Sequence, residues 1–145
     1  MNRNKIIVVF LTFFCLVRIN LQAQNATGTI TFRIMNFKHD QGGAIVNLFR
    51  TEDNLPKEPF RQERATIING IAIVKFENLK YGVYAAIAFH DENSNGELDH
   101  SWGIPSEPIG FTNRWKLSLF SGMPNFNKLK FIFSQQINEC NIELP

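Results

Sequence analysis

The chain has 145 residues, with 15 Lys and Arg against 13 Asp and Glu, so its formal net charge is +2 at pH 7. This near balance excludes the strong basic field with which proteins bind nucleic acid. The length suits one domain with a single hydrophobic core, without disulfide or metal staples.

The first 23 residues have the charge and hydropathy order of a secretory signal peptide. Arg3 and Lys5 precede an apolar run at positions 6–17, interrupted by Thr12, and Ala23 is a small residue suited to cleavage. An apolar run of about a dozen residues is shorter than the roughly 20 that span a bilayer. We therefore predict cleavage after Ala23 and export to the periplasm or the cell exterior, with an uncleaved anchor as the alternative.

Cleavage changes the charge and the cysteine count. Three basic residues and no acid leave with the leader, so twelve basic residues remain against thirteen acidic ones and the formal charge becomes −1. Cys15 also leaves, and Cys140 then has no partner for an intramolecular disulfide. Because Cys140 alternates with Ile142 and Leu144, we expect it to be a buried small hydrophobe.

The early part of residues 24–145 alternates apolar and polar side chains. Ile30, Phe32 and Ile34 follow the period of a half-buried strand, and a second strand is predicted from 44 to 49 after the turn residues 40–43. We expect these two strands to pair as a hairpin. Two prolines and mixed charge from Leu55 to Arg61 predict a surface loop.

A second hairpin is predicted around Asn69-Gly70, which suits the positive φ angles of a type I′ turn between strands 65–68 and 71–76. The next strand, 83–90, is apolar on both faces, which indicates a central position in a sheet.

The second half of the chain predicts one long loop and two strands. Residues 100–125 are rich in Gly, Pro, Ser and Asn, and strands are expected at 127–133 and 137–144. The predicted fold class is therefore all-β, with residues 24–145 forming a single antiparallel β-sandwich of about seven strands and one long ordered loop.

The stretch HDENSNGELD, residues 90–99, has the spacing of a calcium loop around Gly96. Its predicted oxygen ligands are the side chains of Asp91, Asn93, Asn95 and Asp99 and the backbone carbonyl of Glu97. Two departures predict weak binding, near the millimolar range of extracellular modules: Trp102 stands where an EF-hand has its bidentate Glu, and only two of the ligands are charged. Glu107 is a candidate to complete the cage.

Two other interpretations of this loop remain open. Asp, Asn, Ser and Gly form turns by bonding their own backbone, so the loop needs no metal. Alternatively, His90 and His100 form a transition-metal site with Asp91 or Asp99, although their spacing has no strong signature.

No catalytic constellation stands out in the sequence. Ser101, Ser106 and Ser121 lack the Gly-x-Ser-x-Gly elbow of serine hydrolases, so an enzyme would depend on His90 and Asp91 beside the long loop.

Binding and scaffold roles are the other two classes. Trp102, Phe111 and Trp115 would serve a binding module as platforms for a sugar or peptide, or else they seal the open end of a scaffold domain. We expect a monomer with an extracellular or envelope ligand of unknown identity and no nucleic-acid partner.

Four segments carry a resemblance to a known family: 76–85, 90–99, 103–113 and 124–126. Their order, HDxNxNGxLD followed by GIPxE and GFxN, resembles the secreted bacterial family named domain of unknown function 2141. The resemblance covers essentially all of residues 24–145. It implies a small exported β-sandwich similar to prealbumin-like or carboxypeptidase-regulatory-like domains, and it implies no particular reaction.

Overall fold

The structure, a computed structural model, describes residues 26–118 and 122–145. The predicted leader lies outside the described residues, so export and cleavage after Ala23 stay predictions. The strands are β1 Thr27–Met35, β2 Gly43–Phe49, β3 Arg61–Ala65, β4 Ile71–Lys80, β5 Gly82–Asp91, β6 His100–Ser101, β7 Ile104–Pro105, β8 Ile109–Phe111, β9 Phe131–Phe133 and β10 Glu139–Glu143. A 3₁₀ turn, Thr112–Arg114, and a one-turn helix α1, Phe126–Leu129, complete the described elements.

The strands form two main sheets that pack face to face. The first sheet has the order β10-β1-β4, and the second has the order β3-β2-β5-β8, with β9 also pairing with β5. Ile30 and Phe32 of β1 share one buried cluster, which we call the main core, with Val46 of β2 and Ala86 of β5. The two sheets therefore cover each other's apolar faces. The predicted all-β fold is confirmed, and β5 takes the central position expected for it.

The predicted hairpin of the first two strands is wrong. β1 pairs with β4 and β10, whereas β2 pairs with β3 and β5. Residues 36–42 carry the chain from one sheet to the other, because each strand has an apolar face that the opposite sheet must cover. The sandwich is also not purely antiparallel, since β10 runs parallel to β1 with Cys140 beside Phe32.

The Asn69-Gly70 turn is confirmed, but its flanking strands separate. Both residues have positive φ angles, 52° and 73°, and one bridge joins Ile68 to Ile71. Beyond the turn, β3 joins β2 in the second sheet while β4 joins β1 in the first. The local chemistry therefore predicted the turn correctly and the pairing of the strands incorrectly.

The stretch 100–125 is more regular than its composition predicted. It contains the β6–β7 hairpin, β8 and the 3₁₀ turn. The strand expected at 127–133 begins instead as helix α1, because the Asn125 side chain accepts a hydrogen bond from the Lys128 N–H at 3.1 Å and caps the helix.

Cys140 lies half-buried on the same side as the buried Ile142 and packs against the main core. Burial raises the pKa of the Cys140 thiol to about 11, so the thiol stays protonated at neutral pH. Across residues 26–118 and 122–145, none of the helices has the length and apolar character needed to cross a bilayer.

Candidate functional site

The outer face of the second sheet carries two rows of side chains that cross its strands. In the first row, Gln62 of β3 pairs with Asn47 of β2, Asn47 with Ile87 of β5, and Ile87 with Phe111 of β8. In the second row, Phe89 of β5 lies beside Ile109 of β8. Alternate residues of a strand point to opposite faces, so these side chains share the face that turns away from the main core.

This face changes from polar to apolar across the sheet. At the β3 edge, the Gln62 Nε2 donates a hydrogen bond to the Asn47 Oδ1 at 2.8 Å. At the β8 edge, Ile87 and Phe111 belong to a second apolar cluster, which includes Leu129 of α1. This outer face, which forms the floor of the site, is therefore polar at the β3 edge and apolar at the β8 edge.

Several chain segments rise around this floor and border an open cavity of about 920 Å³, which we call the outer-face cavity. The rim is formed by the loop around Lys57, the β6–β7 hairpin with Ile104, and residues 117–118 and 123–124, which include Leu117 and Met123. On the floor, Ile87, Phe89 and Phe111 are buried, Asn47 and Ile109 are half-buried, and Gln62 is exposed. On the rim, Ile104, Leu117 and Met123 are exposed. The apolar side chains of the rim are therefore more exposed than those of the floor.

The three aromatic rings singled out in the sequence have different environments. Trp102 is 100% exposed, Phe111 is 4% exposed, and Trp115 is half-buried with its ring 4.7 Å from that of Phe111 in a T-shaped contact. Trp102 and Gly103 both have positive φ angles, as a two-residue type I′ hairpin turn requires. Phe111 and Trp115 therefore pack down, while Trp102 projects into solvent beside the cavity rim.

The loop of residues 91–99 folds around the carboxylate of Asp91. Asp91 is buried, and its two oxygens accept hydrogen bonds from the Asn95 N–H at 3.0 Å and the Gly96 N–H at 3.1 Å. Arg64 of β3 places its Nη1 3.0 Å from the Asp91 Oδ2. The Asp91 carboxylate thus already contacts two backbone N–H groups and the guanidinium of Arg64.

The other predicted ligands surround Asp99. The Asp99 carboxylate accepts hydrogen bonds from the Asn93 Nδ2 at 2.6 Å and from the Asn95 Nδ2 at 3.0 Å. Glu97 donates its N–H to the Asn95 Oδ1 at 2.8 Å. The loop therefore brings the predicted side chains together through the turn chemistry of Asp and Asn, and calcium binding stays a prediction.

Glu107 lies beside this loop and hydrogen-bonds to its backbone near both ends. It is 7% exposed, and its two carboxylate oxygens accept hydrogen bonds from the Glu92 N–H at 2.8 Å and the Asp99 N–H at 3.1 Å. The Glu107 carboxylate thus joins the two ends of the loop, and its role as a completing ligand stays a prediction. No sequence pattern pointed to Arg64, because it comes beside Asp91 only when β2 pairs with both β3 and β5.

The two residues of the enzyme interpretation lie on opposite faces of β5. Asp91 faces the loop and Arg64, whereas His90 faces Phe37 of the main core, with 5.0 Å between the ring centroids. His100 lies at the rim of the outer-face cavity, away from the environment of His90. Of the three serines, Ser101 lies in β6, Ser106 lies next to the buried Glu107, and Ser121 lies outside the described residues.

The fold and site define a small β-sandwich with an open cavity on the outside of one sheet. A family model described as uncharacterized protein conserved in bacteria, DUF2141, matches residues 32–141, and the chain belongs to this family. No curated protein and no solved structure matched the chain.

Proposed function

We propose that this chain is an exported binding module whose ligand is a small amphiphile held in the outer-face cavity. The observation that carries the proposal is the cavity itself, whose volume of about 920 Å³ lies within the range of about 300–1,000 Å³ that is usual for small-molecule sites. The signal-peptide pattern of residues 1–23 supports the exported location.

The polar-to-apolar floor defines the kind of ligand and its orientation. The amides of Asn47 and Gln62 offer hydrogen bonds at one end. At the other end the half-buried Ile109, which lies over the buried cluster of Ile87 and Phe111, offers apolar contact. An apolar molecule with a polar head would place the head toward β3 and the apolar body toward β8. Such sites combine an apolar lining with a few polar groups that fix the orientation of the ligand.

The rim supplies the apolar surface that a ligand would cover. Ile104 is 65% exposed and Met123 is 72% exposed, although both border the cavity. Burial of apolar area contributes about 25 cal/mol per Å², so covering these side chains favours binding. The exposed Trp102 on the same hairpin as Ile104 provides a fluorescent reporter of this event.

The test is a titration of the protein with decanoate and with decyl glucoside, which share a ten-carbon chain and differ in head charge. We expect saturable binding with one molecule per chain, measured by calorimetry, and a change in tryptophan emission. Ile104→Asp should weaken binding by about tenfold or more, because losing one buried Ile contact costs about 1.5–3 kcal/mol.

Ile68→Asp is the matched control, because Ile68 is 66% exposed and lies beside the Asn69-Gly70 turn rather than at the cavity. It should bind as the parent protein does. Absence of saturable binding below the micelle concentration, or equal loss in both variants, would overturn the proposal.

A further inference from the structure

A second cluster of polar side chains lies on the inner side of β5, away from the outer-face cavity. Among the described residues, His39, His90 and Glu92 each offer one ligand atom, and the three atoms lie within 4.8 Å of one another. Glu92 Oε1 is 3.5 Å from His39 Nε2 and 3.6 Å from His90 Nδ1. The cluster combines two imidazoles with one carboxylate.

His90 shows the feature that points to a ligand. It is fully buried, and its Nδ1 has no hydrogen-bond partner among the described residues. Its Nε2 lies 2.7 Å from the backbone carbonyl of Gln41, which can only accept, so the Nε2 carries the proton. The lone pair of the imidazole is therefore on Nδ1, and this atom faces Glu92 and His39.

Leaving such an atom without a partner costs free energy, since buried polar groups are normally paired. The arrangement of the other ring nitrogen matches the surroundings of metal-binding histidines, which donate their second N–H to a backbone carbonyl or a carboxylate. This contact sets both the tautomer and the ring orientation of His90.

We propose that His39, His90 and Glu92 bind one divalent transition-metal ion of the zinc class. A tetrahedral zinc ion with ligand bonds of about 2.0–2.1 Å spaces neighbouring ligand atoms about 3.4 Å apart. The separations of 3.5 and 3.6 Å are already close to that spacing. His39 and Glu92 are exposed, which leaves a fourth coordination position accessible to water or to a small ligand.

The local structure holds the cluster in place. The Phe37 ring packs edge-on against His90, with 5.0 Å between the centroids, and restricts its rotation. Asp40 accepts hydrogen bonds from the N–H groups of Asn69 and Gly70, both at 2.8 Å, and so ties the segment that carries His39 to the neighbouring turn. Ligands that are fixed before binding lose less conformational entropy when the ion arrives.

The donor set also separates this site from the loop of residues 91–99. Imidazole nitrogens suit zinc, copper and nickel, whereas calcium and magnesium prefer oxygen ligands alone. Zinc binding at His39 and His90 should therefore proceed in the presence of excess calcium.

The test uses the untagged protein, titrated with Zn²⁺ by calorimetry and with Co²⁺ by visible absorption. We expect one ion per chain. His39→Ala and Glu92→Gln should each weaken Zn²⁺ binding at least tenfold, because even loss of an outer-shell partner costs about 10–100-fold in metal affinity. His100→Ala removes an exposed histidine outside the cluster and should leave the affinity unchanged.

A second measurement does not depend on any variant. Nitrogen-15 NMR of the imidazoles should show His90 protonated on Nε2 before metal is added, and a large shift of its Nδ1 resonance when Zn²⁺ binds. The proposal is overturned if His39→Ala binds Zn²⁺ as tightly as His100→Ala, or if the proton of His90 is found on Nδ1.

Discussion

At the scale of single residues, Phe111 is a buried packing residue rather than an exposed platform for a ligand. Its ring lies in the second apolar cluster with Phe49 and Leu129, and Trp115 packs against it. The sequence left open whether Phe111 and Trp102 seal the sandwich or face a ligand. The two rings differ in the structure, because Leu129 and Trp115 cover Phe111 on the outer face of β8, whereas Trp102 occupies an exposed hairpin turn.

Phe111→Ala should lower the free energy of unfolding by about 3–5 kcal/mol, since it removes a buried ring and leaves a cavity. Trp102→Ala is the control, and because its ring is fully exposed, its effect should stay within about 0.5 kcal/mol. Urea denaturation of both variants measures the difference. A loss below about 1 kcal/mol for Phe111→Ala would contradict the packing role.

At the scale of elements, the close approach of β8 to the end of the chain depends on Gly110. A Cβ on this residue would lie 2.6 Å from the Ile142 Cγ2 and 2.8 Å from the Glu143 carbonyl oxygen. β10 is held on its other side by β1, so it has little freedom to retreat. The glycine therefore permits the contact that joins the two sheets at this edge.

Gly110→Ala should destabilise the fold by about 1–3 kcal/mol, the usual cost of overpacking. Gly82→Ala is the matched control in β5, because a Cβ there would meet its nearest atom at 3.7 Å, an ordinary contact. Thermal or urea unfolding of the two variants tests the prediction. Equal stability of the two variants would show that β10 adjusts freely.

The loop of residues 91–99 is a second element whose behaviour can be tested, and we predict that it binds calcium weakly. Arg64 competes with any ion for Asp91, since its Nη1 lies 3.0 Å from the Oδ2. Calcium should raise the melting temperature, because an ion that binds only the folded state stabilises it by mass action. At a calcium concentration about 100 times the dissociation constant, the free energy of unfolding should increase by about 2.7 kcal/mol. Arg64→Gln should strengthen the response, and Asp91→Ala should abolish it.

Melts in calcium, in magnesium and in chelator measure the effect, and Glu97→Gln is the control because only the backbone of Glu97 is predicted to bind. The same midpoint in all three solutions, up to about 10 mM ion, would mean that the loop is a turn held by its own hydrogen bonds.

At the scale of the whole molecule, the proposed function as an exported binding module depends on the prediction of export. The charged, apolar and small-residue order of residues 1–23 predicts removal of the leader. Mass spectrometry of the exported protein should find Gln24 at the N-terminus. A mature product that retains residues 1–23 would contradict this prediction and favour the uncleaved anchor.

The sequence by itself determined the features that depend on neighbouring residues. The period of two in Ile30, Phe32 and Ile34 predicts a half-buried strand, and Asn69-Gly70 predicts a type I′ turn, because both depend only on local backbone geometry and side-chain alternation. The turn-forming network of the loop 91–99 follows for the same reason, since Asp and Asn bond to backbone groups a few residues away.

Only the tertiary structure decided which strands pair and which distant side chains meet. β1 and β2 join different sheets because each apolar face must be covered by the other sheet, and no short segment encodes that choice. The β2–β5 register then sets Gly43 beside Asp91, and the preceding residues place His39 next to His90 and Glu92. These contacts join residues far apart in the chain, so they depend on how the sheets close rather than on any spacing in the sequence.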